Sequence, residues 1–245
     1  MRRTFTVLGL VVLAATAACQ DEGADPVGPE GTLAVSSTAL SRGGPSTYEV
    51  TITNLTGGQP LTPPLAVTHK RALTVFEVGE AASLGVREIA ENGNLPPLAD
   101  ALGSNEHVHD LVIALPDAGP PPIIPGASRT FTIIARGGDR FSFVSMLICT
   151  NDGFTGIAST RLPRRIGEPC PPLTGVVSMD MGSGTSDPTL AENGVIGMHA
   201  GIQGGDDLNP AIHGWTDPVA TISITRLTKS EKSAKSDQSK KSNKN

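Results

Sequence analysis

The stretch Tyr48-Glu-Val-Thr-Ile-Thr-Asn54 decides the fold class of this chain. Its apolar and polar side chains alternate, which is the period-two pattern of a β-strand with one buried face. On either side of it, short segments rich in Val, Ile, Leu and Thr recur between Gly and Pro residues, as in proteins made of short strands and many turns. Further strands are predicted at residues 65–69, 73–78, 108–115, 129–135, 140–148, 174–179 and 219–227.

Turn signals separate these segments, for example Gly57-Gly58 and Gly137-Gly138, and they favour antiparallel pairing. Between residues 79 and 102 the pattern changes, because apolar residues recur near helical spacing among good helix formers. The sequence therefore predicts an all-β chain, an antiparallel two-sheet β-sandwich of about eight strands with one short helical insertion.

Residues 1–18 have the pattern of an export signal. A positively charged start precedes an apolar run of about a dozen residues, which is shorter than the roughly 20 needed to span a bilayer. Thr16-Ala17-Ala18-Cys19 then places small residues before a cysteine, as a bacterial lipoprotein signal does. We expect export across the inner membrane, removal of residues 1–18, and attachment to the cell envelope through a lipid on Cys19. An ordinary secretory signal, in which Cys19 is incidental, is the alternative.

The rest of the chain divides by composition into a tether, a domain and a tail. Residues 19–31 are predicted to be an acidic tether, residues 32–228 the folded domain, and residues 229–245 a disordered Lys/Ser-rich tail. Residues 19–227 contain eleven Lys and Arg against twenty-two Asp and Glu. This acidic balance argues against nucleic acid as a partner and favours cations or basic partners.

Two cysteines remain after lipidation, Cys149 and Cys170, in a compartment where thiols oxidise. A disulfide between them would close a loop of about twenty residues and contribute roughly 3 kcal/mol on the chain-entropy model. A metal site using both thiolates is the alternative, but it lacks the close Cys-x-x-Cys spacing that zinc sites favour.

The sequence contains no Gly-x-Ser-x-Gly, His-Glu-x-x-His or phosphate-binding glycine loop, so we predict that the protein is not an enzyme. His107 and His109 are two residues apart, so on a strand both would face the same way and could bind a transition metal. Since no third ligand lies nearby in sequence, the pattern favours a solvated pair on the outer face over a metal site. A metal-dependent hydrolase using these residues, or His199 and His213, is a third class.

Two acidic loops follow predicted strands between residues 145 and 187. Asp152 lies in a polar loop between two strands, and Asp180 and Asp187 lie in a glycine-rich segment at a strand end. Loops at one end of a sandwich can bring Asp152, Asp180 and Asp187 together. Their carboxylates could then supply part of the 6 to 8 oxygen ligands that calcium takes. The alternative is that these aspartates only accept hydrogen bonds from turn amides.

Four segments together resemble the spondin domain of bacterial lipoproteins, over about residues 48–227. They are Tyr48-Glu-Val-Thr-Ile-Thr-Asn-Leu-Thr-x-Gly-Gln-Pro-Leu-x-Pro-Pro64, Phe76-Glu-Val-Gly79, the Ser-Met to Asn-Asp-Gly-Phe-x-Gly156 segment, and His213-Gly-Trp215-x-x-Pro218-Val-Ala. In animals this domain occurs in F-spondin and mindin, which are extracellular matrix adhesion proteins. The resemblance implies a C2-like β-sandwich that serves adhesion or recognition, with a protein or glycan partner not identified by the sequence.

The resemblance also implies a divalent cation, held by an Asp after the Ser-Met strand and by two acids in an Asp-Ala-Gly-Thr-Asp/Glu loop. Asp152 matches the first ligand, and Asp180 matches the start of the loop. This chain has Met-Gly-Ser-Gly-Thr where the family has Ala-Gly-Thr, so Asp187 comes one residue late and Ser186 stands in the acidic position. From the matches of Asp152 and Asp180 we expect calcium as the cofactor. A purely structural envelope lipoprotein without an ion is the alternative.

Overall fold

The computed structural model describes residues 44–166, 194–202 and 208–228, together with the backbone of residues 173–176 and 178–180. All of them belong to one compact unit of the chain. The predicted signal peptide with Cys19, the acidic tether and the Lys/Ser-rich tail lie outside the described residues, and so do Cys170 and Asp187.

The described part of the chain contains ten strands and three helices. The strands are β1 (Ser46–Asn54), β2 (Leu65–His69), β3 (Val108–Ile113), β4 (Ser128–Ala135), β5 (Arg140–Met146), β6 (Phe154–Arg161), β7 (Leu173–Val176), β8 (Ser178–Asp180), β9 (Gly197–Met198) and β10 (Ala220–Arg226). The helices are α1 (Leu84–Asn92), α2 (Pro96–Gly103) and α3 (Pro210–His213).

The strands form two antiparallel sheets. One has four strands in the order β4-β1-β10-β7, and the other has six in the order β3-β2-β5-β6-β8-β9. β1 lies at the centre of the first sheet, where Tyr48 is opposite Arg226 of β10 and Ile133 of β4. The predicted all-β sandwich is confirmed.

The alternation in β1 explains how the two sheets pack. Val50 and Ile52 are completely buried, whereas Thr51 between them is only half-buried. The buried side chains meet Phe141 and Phe143 of the six-stranded sheet in one core cluster. Burying a side chain of this size stabilises the fold by roughly 1.5–3 kcal/mol. Burial of the face of β1 that carries Val50 and Ile52 therefore places this strand in the interior of the sandwich.

The six-stranded sheet is buried on both faces. All five residues of β2 are buried, and a second core cluster joins this sheet to side chains of α1 and α2 such as Ile89 and Leu98. This explains why burial does not alternate along β2 and β5, where even the polar residues Thr68, Ser142 and Ser145 are buried. The single predicted helical insertion is in fact two helices, because α1 ends at Gly93 in the left-handed region (φ 62°) and Pro96 starts α2.

The prediction of a strand at residues 73–78 is wrong. The Leu73 amide donates to the Lys70 carbonyl, so the chain turns directly after β2. Val75 and Phe76 are both buried as neighbours in the second core cluster, and the Phe76 ring stands edge-on to Phe154 at 5.4 Å. Consecutive burial of this kind is possible in a loop but not on one face of a strand.

The strand predicted at residues 174–179 divides between the two sheets. β7 pairs with β10 in the four-stranded sheet, whereas β8 pairs with β6 in the six-stranded sheet. The chain therefore crosses from one sheet to the other within a few residues. This crossing brings Asp180 beside the start of β6.

Candidate functional site

The connection between β5 and β6 presents Asp152 at the end of the six-stranded sheet. Thr150 closes this loop, because its hydroxyl donates to the Leu147 carbonyl at 2.6 Å and accepts from the Gly153 amide at 2.9 Å. The Leu147 amide also donates to the Gly153 carbonyl. Asp152 is half-buried at the tip of this short loop.

Asp180 lies at the same end of the sheet as Asp152. β8 pairs with β6 in a register that places Met179 opposite Phe154, so the next residue, Asp180, falls level with Gly153. Neighbouring residues across such a pair have α-carbons about 5 Å apart. The backbone of Asp180 is thus one strand spacing from the loop that carries Asp152. Gly197 of β9 lies opposite Asp180 on the other side.

A third carboxylate, Glu91, lies near Asp152 and was not singled out from the sequence. Desolvation by burial raises the pKa of the Glu91 carboxyl, the Arg87 guanidinium lowers it, and the Asp152 and Glu88 carboxylates raise it further. Glu91 belongs to the last turn of α1, which packs on β5. We call Glu91, Asp152 and Asp180 the acidic rim. Glu91 could not be identified from the helical pattern of the sequence, because its neighbour Asp152 belongs to a loop that is distant in sequence.

The imidazole of His199 lies against this loop. A β-carbon added to Gly153 would stand 2.9 Å from Cδ2 and 3.1 Å from Nε2 of His199, so only glycine permits this approach. His199 Nδ1 accepts from the Gly201 amide at 2.9 Å, and its ring meets the Trp215 ring edge-on at 4.8 Å. Trp215 packs partly buried against the core between the sheets, where it supports His199.

Hard oxygen donors of the acidic rim fit calcium better than a transition metal. Among the described residues, no three His, Cys, Asp or Glu side chains converge as a complete metal site. The side chain of Asp180 and the whole of Asp187 lie outside what the structure describes. The described donors at this rim are the carboxylates of Glu91 and Asp152.

His107 and His109 do not share one strand. His107 lies in a turn before β3, where its amide donates to the Asn105 side chain at 2.9 Å. His109 lies on β3, and its Nδ1 is paired with the Asp139 carboxylate. His213 lies at the end of α3, where its Nδ1 accepts from the Asn209 amide at 3.0 Å. His107 and His109 thus make hydrogen bonds to different partners.

A buried hydrogen-bond cluster explains the Asn-Leu-Thr-x-Gly-Gln-Pro part of the sequence motif. The Asn54 amide group donates to the Gln59 and Ile123 carbonyls, and its oxygen accepts from the Thr56 amide and hydroxyl. The Gln59 side-chain amide in turn donates to the carbonyls of His213 and Cys149, and its oxygen accepts from the Cys149 amide. The cluster therefore connects β1 to the β5–β6 loop. The predicted Cys149–Cys170 disulfide stays a prediction, since Cys170 is outside the described residues.

The profile of the Spondin_N family matches residues 58–167. The chain contains a spondin domain. The match covers Glu91 and the loop with Asp152 but ends before Asp180, and the described sandwich extends beyond it on both sides through β1 and β10. No curated protein matches the chain.

Spondin domains are extracellular modules of the recognition or adhesion type, and the family is not known for enzymatic activity. Over the part of the chain that the structure describes, the helices are too short or too polar to cross a membrane.

Proposed function

We propose that this spondin-domain protein is a non-catalytic adhesion or recognition module that binds calcium at the acidic rim. The observation that carries the proposal is the approach of Glu91 and Asp152, whose carboxylates repel each other, with Asp180 at the same sheet end. Like charges placed together favour a bound cation. Asp187 follows Asp180 closely in sequence and is our fourth expected oxygen ligand.

Calorimetry of the purified full-length chain tests the cation. We expect calcium to bind with a Kd on the order of 10⁻⁴–10⁻³ M, as in other extracellular modules. Asp152→Ala and Asp180→Ala should each weaken binding about tenfold or more. Asp117→Ala removes an exposed carboxylate from the β3–β4 connection and is the matched control. Absence of binding heat at millimolar calcium, or heats unchanged by both rim substitutions, rejects the proposal.

The second candidate is a purely structural envelope lipoprotein. Thermal unfolding with and without a chelator separates it from the first, because an ion bound only to the folded state stabilises by about 2.7 kcal/mol at 100 times its Kd. A higher Tm in calcium that EDTA reverses supports the cation site. An identical Tm in both conditions supports the structural role.

We also propose that the protein is held at the cell envelope by a lipid on Cys19. The proposal is supported by the apolar run and the small residues before Cys19. Intact mass of the purified protein should show removal of residues 1–18 and added acyl chains, and Cys19→Ser should release the protein from the membrane fraction. If the wild-type protein carries no acyl chain and is absent from the membrane fraction, the signal is an ordinary secretory one.

A further inference from the structure

Strand β4 forms one edge of the four-stranded sheet and, within the described residues, pairs only with β1. At Ile134 this edge is closed by side chains of the other sheet. The Ile134 amide donates to the Asp110 carboxylate at 2.7 Å, and the Thr68 hydroxyl donates to the Ile134 carbonyl at 2.6 Å. Ile134 therefore directs its backbone polar groups away from β1.

The same direction holds for alternate residues earlier in β4, because amides and carbonyls alternate sides along an antiparallel strand. Two side-chain contacts support this: the hydroxyls of Thr51 and Thr130 are 2.9 Å apart, and those of Thr53 and Ser128 are 2.8 Å apart. Such close approach is typical of non-hydrogen-bonded pairs. The backbones of Ser128, Thr130 and Thr132 thus face an edge on which no described residue pairs with them.

A cavity of about 420 Å³ lies beside the first half of this edge. Its walls come from residues 115–124 of the β3–β4 connection and from the start of β4. Leu115 and Ile124 line it and are 61% and 53% exposed, although both are large apolar side chains. A volume of this size is within the range of ligand-binding clefts, and a ligand that covered these side chains would gain from their burial.

Arg129 supplies a cation in the cavity wall. Its Nη2 donates to the Pro121 carbonyl at 3.2 Å, but its buried Nε has no hydrogen-bond partner among the described residues. Desolvation by burial lowers the pKa of this guanidinium, and the Asp117 carboxylate opposes the shift without coming within ion-pair distance. The remaining guanidinium N–H groups are suited to a carboxylate, which can form two parallel hydrogen bonds to them in a bidentate geometry.

We propose that the groove formed by the open β4 edge and this cavity binds an extended peptide that carries a carboxylate. The peptide backbone pairs with Ser128, Thr130 and Thr132, an apolar side chain covers Leu115 and Ile124, and the carboxylate binds Arg129. Strand addition to a sheet edge derives its affinity from main-chain hydrogen bonds and its specificity from side-chain contacts. A sugar is a poorer fit, because the described residues that line the cavity include no aromatic ring on which it could stack.

The test uses the blocked peptide acetyl-Val-Thr-Val-Thr-Glu-amide and the ¹⁵N-labelled full-length chain. We expect saturable amide shifts at Ser128, Thr130 and Thr132 and at Leu115 and Ile124, with a Kd on the order of 1 mM or tighter. A peptide with Gln for Glu should bind about tenfold more weakly. A peptide N-methylated at alternate residues should lose the shifts. Shifts on another surface, or equal binding of the N-methylated peptide, overturn the proposal.

Arg129→Gln and Arg136→Gln form a matched pair of variants, since Arg136 is exposed just past the far end of β4 and carries the same charge. Arg129→Gln should weaken binding of the peptide about tenfold, and Arg136→Gln should leave the affinity unchanged. Equal effects of both variants contradict a specific contact. Should Arg129→Gln fail to fold, the Glu and Gln peptides still decide the role of the carboxylate. Concentration-dependent shifts at Thr130 without peptide would assign the edge to a second copy and reject a peptide ligand.

Discussion

The carboxylates of Glu91, at the end of α1, and Asp152, in the β5–β6 loop, lie close enough to repel each other. A helix of the outer layer and a loop of the six-stranded sheet thus present negative charge to the same volume. Repulsion without compensation lowers the stability of the fold, and a bound cation relieves it. The relationship can therefore be tested through the ionisation of Glu91 even before a metal is added.

Replacing Asp152 by Asn should lower the pKa of Glu91. Burial of Glu91 remains the largest cause that raises its pKa, but the Asp152 carboxylate that adds to it is removed. Calcium should lower the same pKa in the wild type, because a cation favours the ionised carboxylate. ¹³C-detected carboxyl titration measures both effects. Asp117→Asn is the control, and a Glu91 pKa that is the same in all three proteins contradicts the arrangement.

Gly153→Ala should destabilise the protein by about 1–3 kcal/mol, the usual cost of inserting a methyl group where there is no room. The added carbon would stand 2.7 Å from the Thr150 hydroxyl and 2.9 Å from the His199 ring, so one of them must move. Since Thr150 holds the loop of Asp152, calcium affinity should fall as well. Urea unfolding and calorimetry measure the two effects. Gly137→Ala is the control, because an added carbon there meets no atom within 4 Å.

The buried His69 should make stability depend on pH. Desolvation lowers its pKa from 6.5; a hydrogen bond to the Lys70 carbonyl and the charge of Asp139 oppose the shift, and Arg140 and His109 add to it. Because the carbonyl can only accept, Nδ1 donates to it and Nε2 of neutral His69 accepts from the Ser142 hydroxyl at 2.7 Å.

The unfolded chain binds a proton at His69 more readily than the folded chain does. This contribution to stability is therefore present above pH 6.5 and is lost as the pH falls below 6.5 towards the folded pKa, by at most about 1.4 kcal/mol per pH unit. Urea unfolding between pH 7.5 and 5 should show the decrease, and His69→Gln should flatten it. A ring that titrates above pH 6.5 by NMR would contradict this reading.

Asn54→Ala should lower the free energy of unfolding by about 3 kcal/mol. The substitution removes the acceptor of the buried Thr56 amide and one donor to each of the Gln59 and Ile123 carbonyls, and an unsatisfied buried group costs about 1–3 kcal/mol. Urea unfolding measures the change. Asn92→Ala, at an exposed position at the end of α1, should change stability by less than about 0.5 kcal/mol. A similar loss in both variants would show that the buried cluster contributes little.

Much of the sandwich could be predicted because strands with one buried face carry their own signal. The predicted strand at residues 65–69 matches β2, and the alternation from Tyr48 to Asn54 lies within β1. The second core was not predicted, because β2 and β5 are buried on both faces and a strand segment does not itself identify what covers its second face. Val75 and Phe76 were assigned to a strand for the same reason: their apolar character reflects burial under the helices, not pairing.

The candidate site divides in the same way. Asp152 was found because a carboxylate follows a strand in a recognisable motif, and such a motif is local in the sequence. Glu91 was missed because its only distinguishing feature is a neighbour from another part of the chain. The spacing of His107 and His109 bears on a metal site only if both residues lie on one strand, and the Asn105 turn leaves His107 outside β3.

By itself the sequence determined the all-β class, the positions of most strands and the loop that carries Asp152, because hydrophobic period and turn residues act over a few neighbouring positions. Only the tertiary structure decided that β7 and β8 belong to different sheets, that helices cover the outer face, and that Glu91 lies within electrostatic range of Asp152. These features depend on which surfaces pack together. Packing is settled by burial and charge across the whole molecule, not by any one segment.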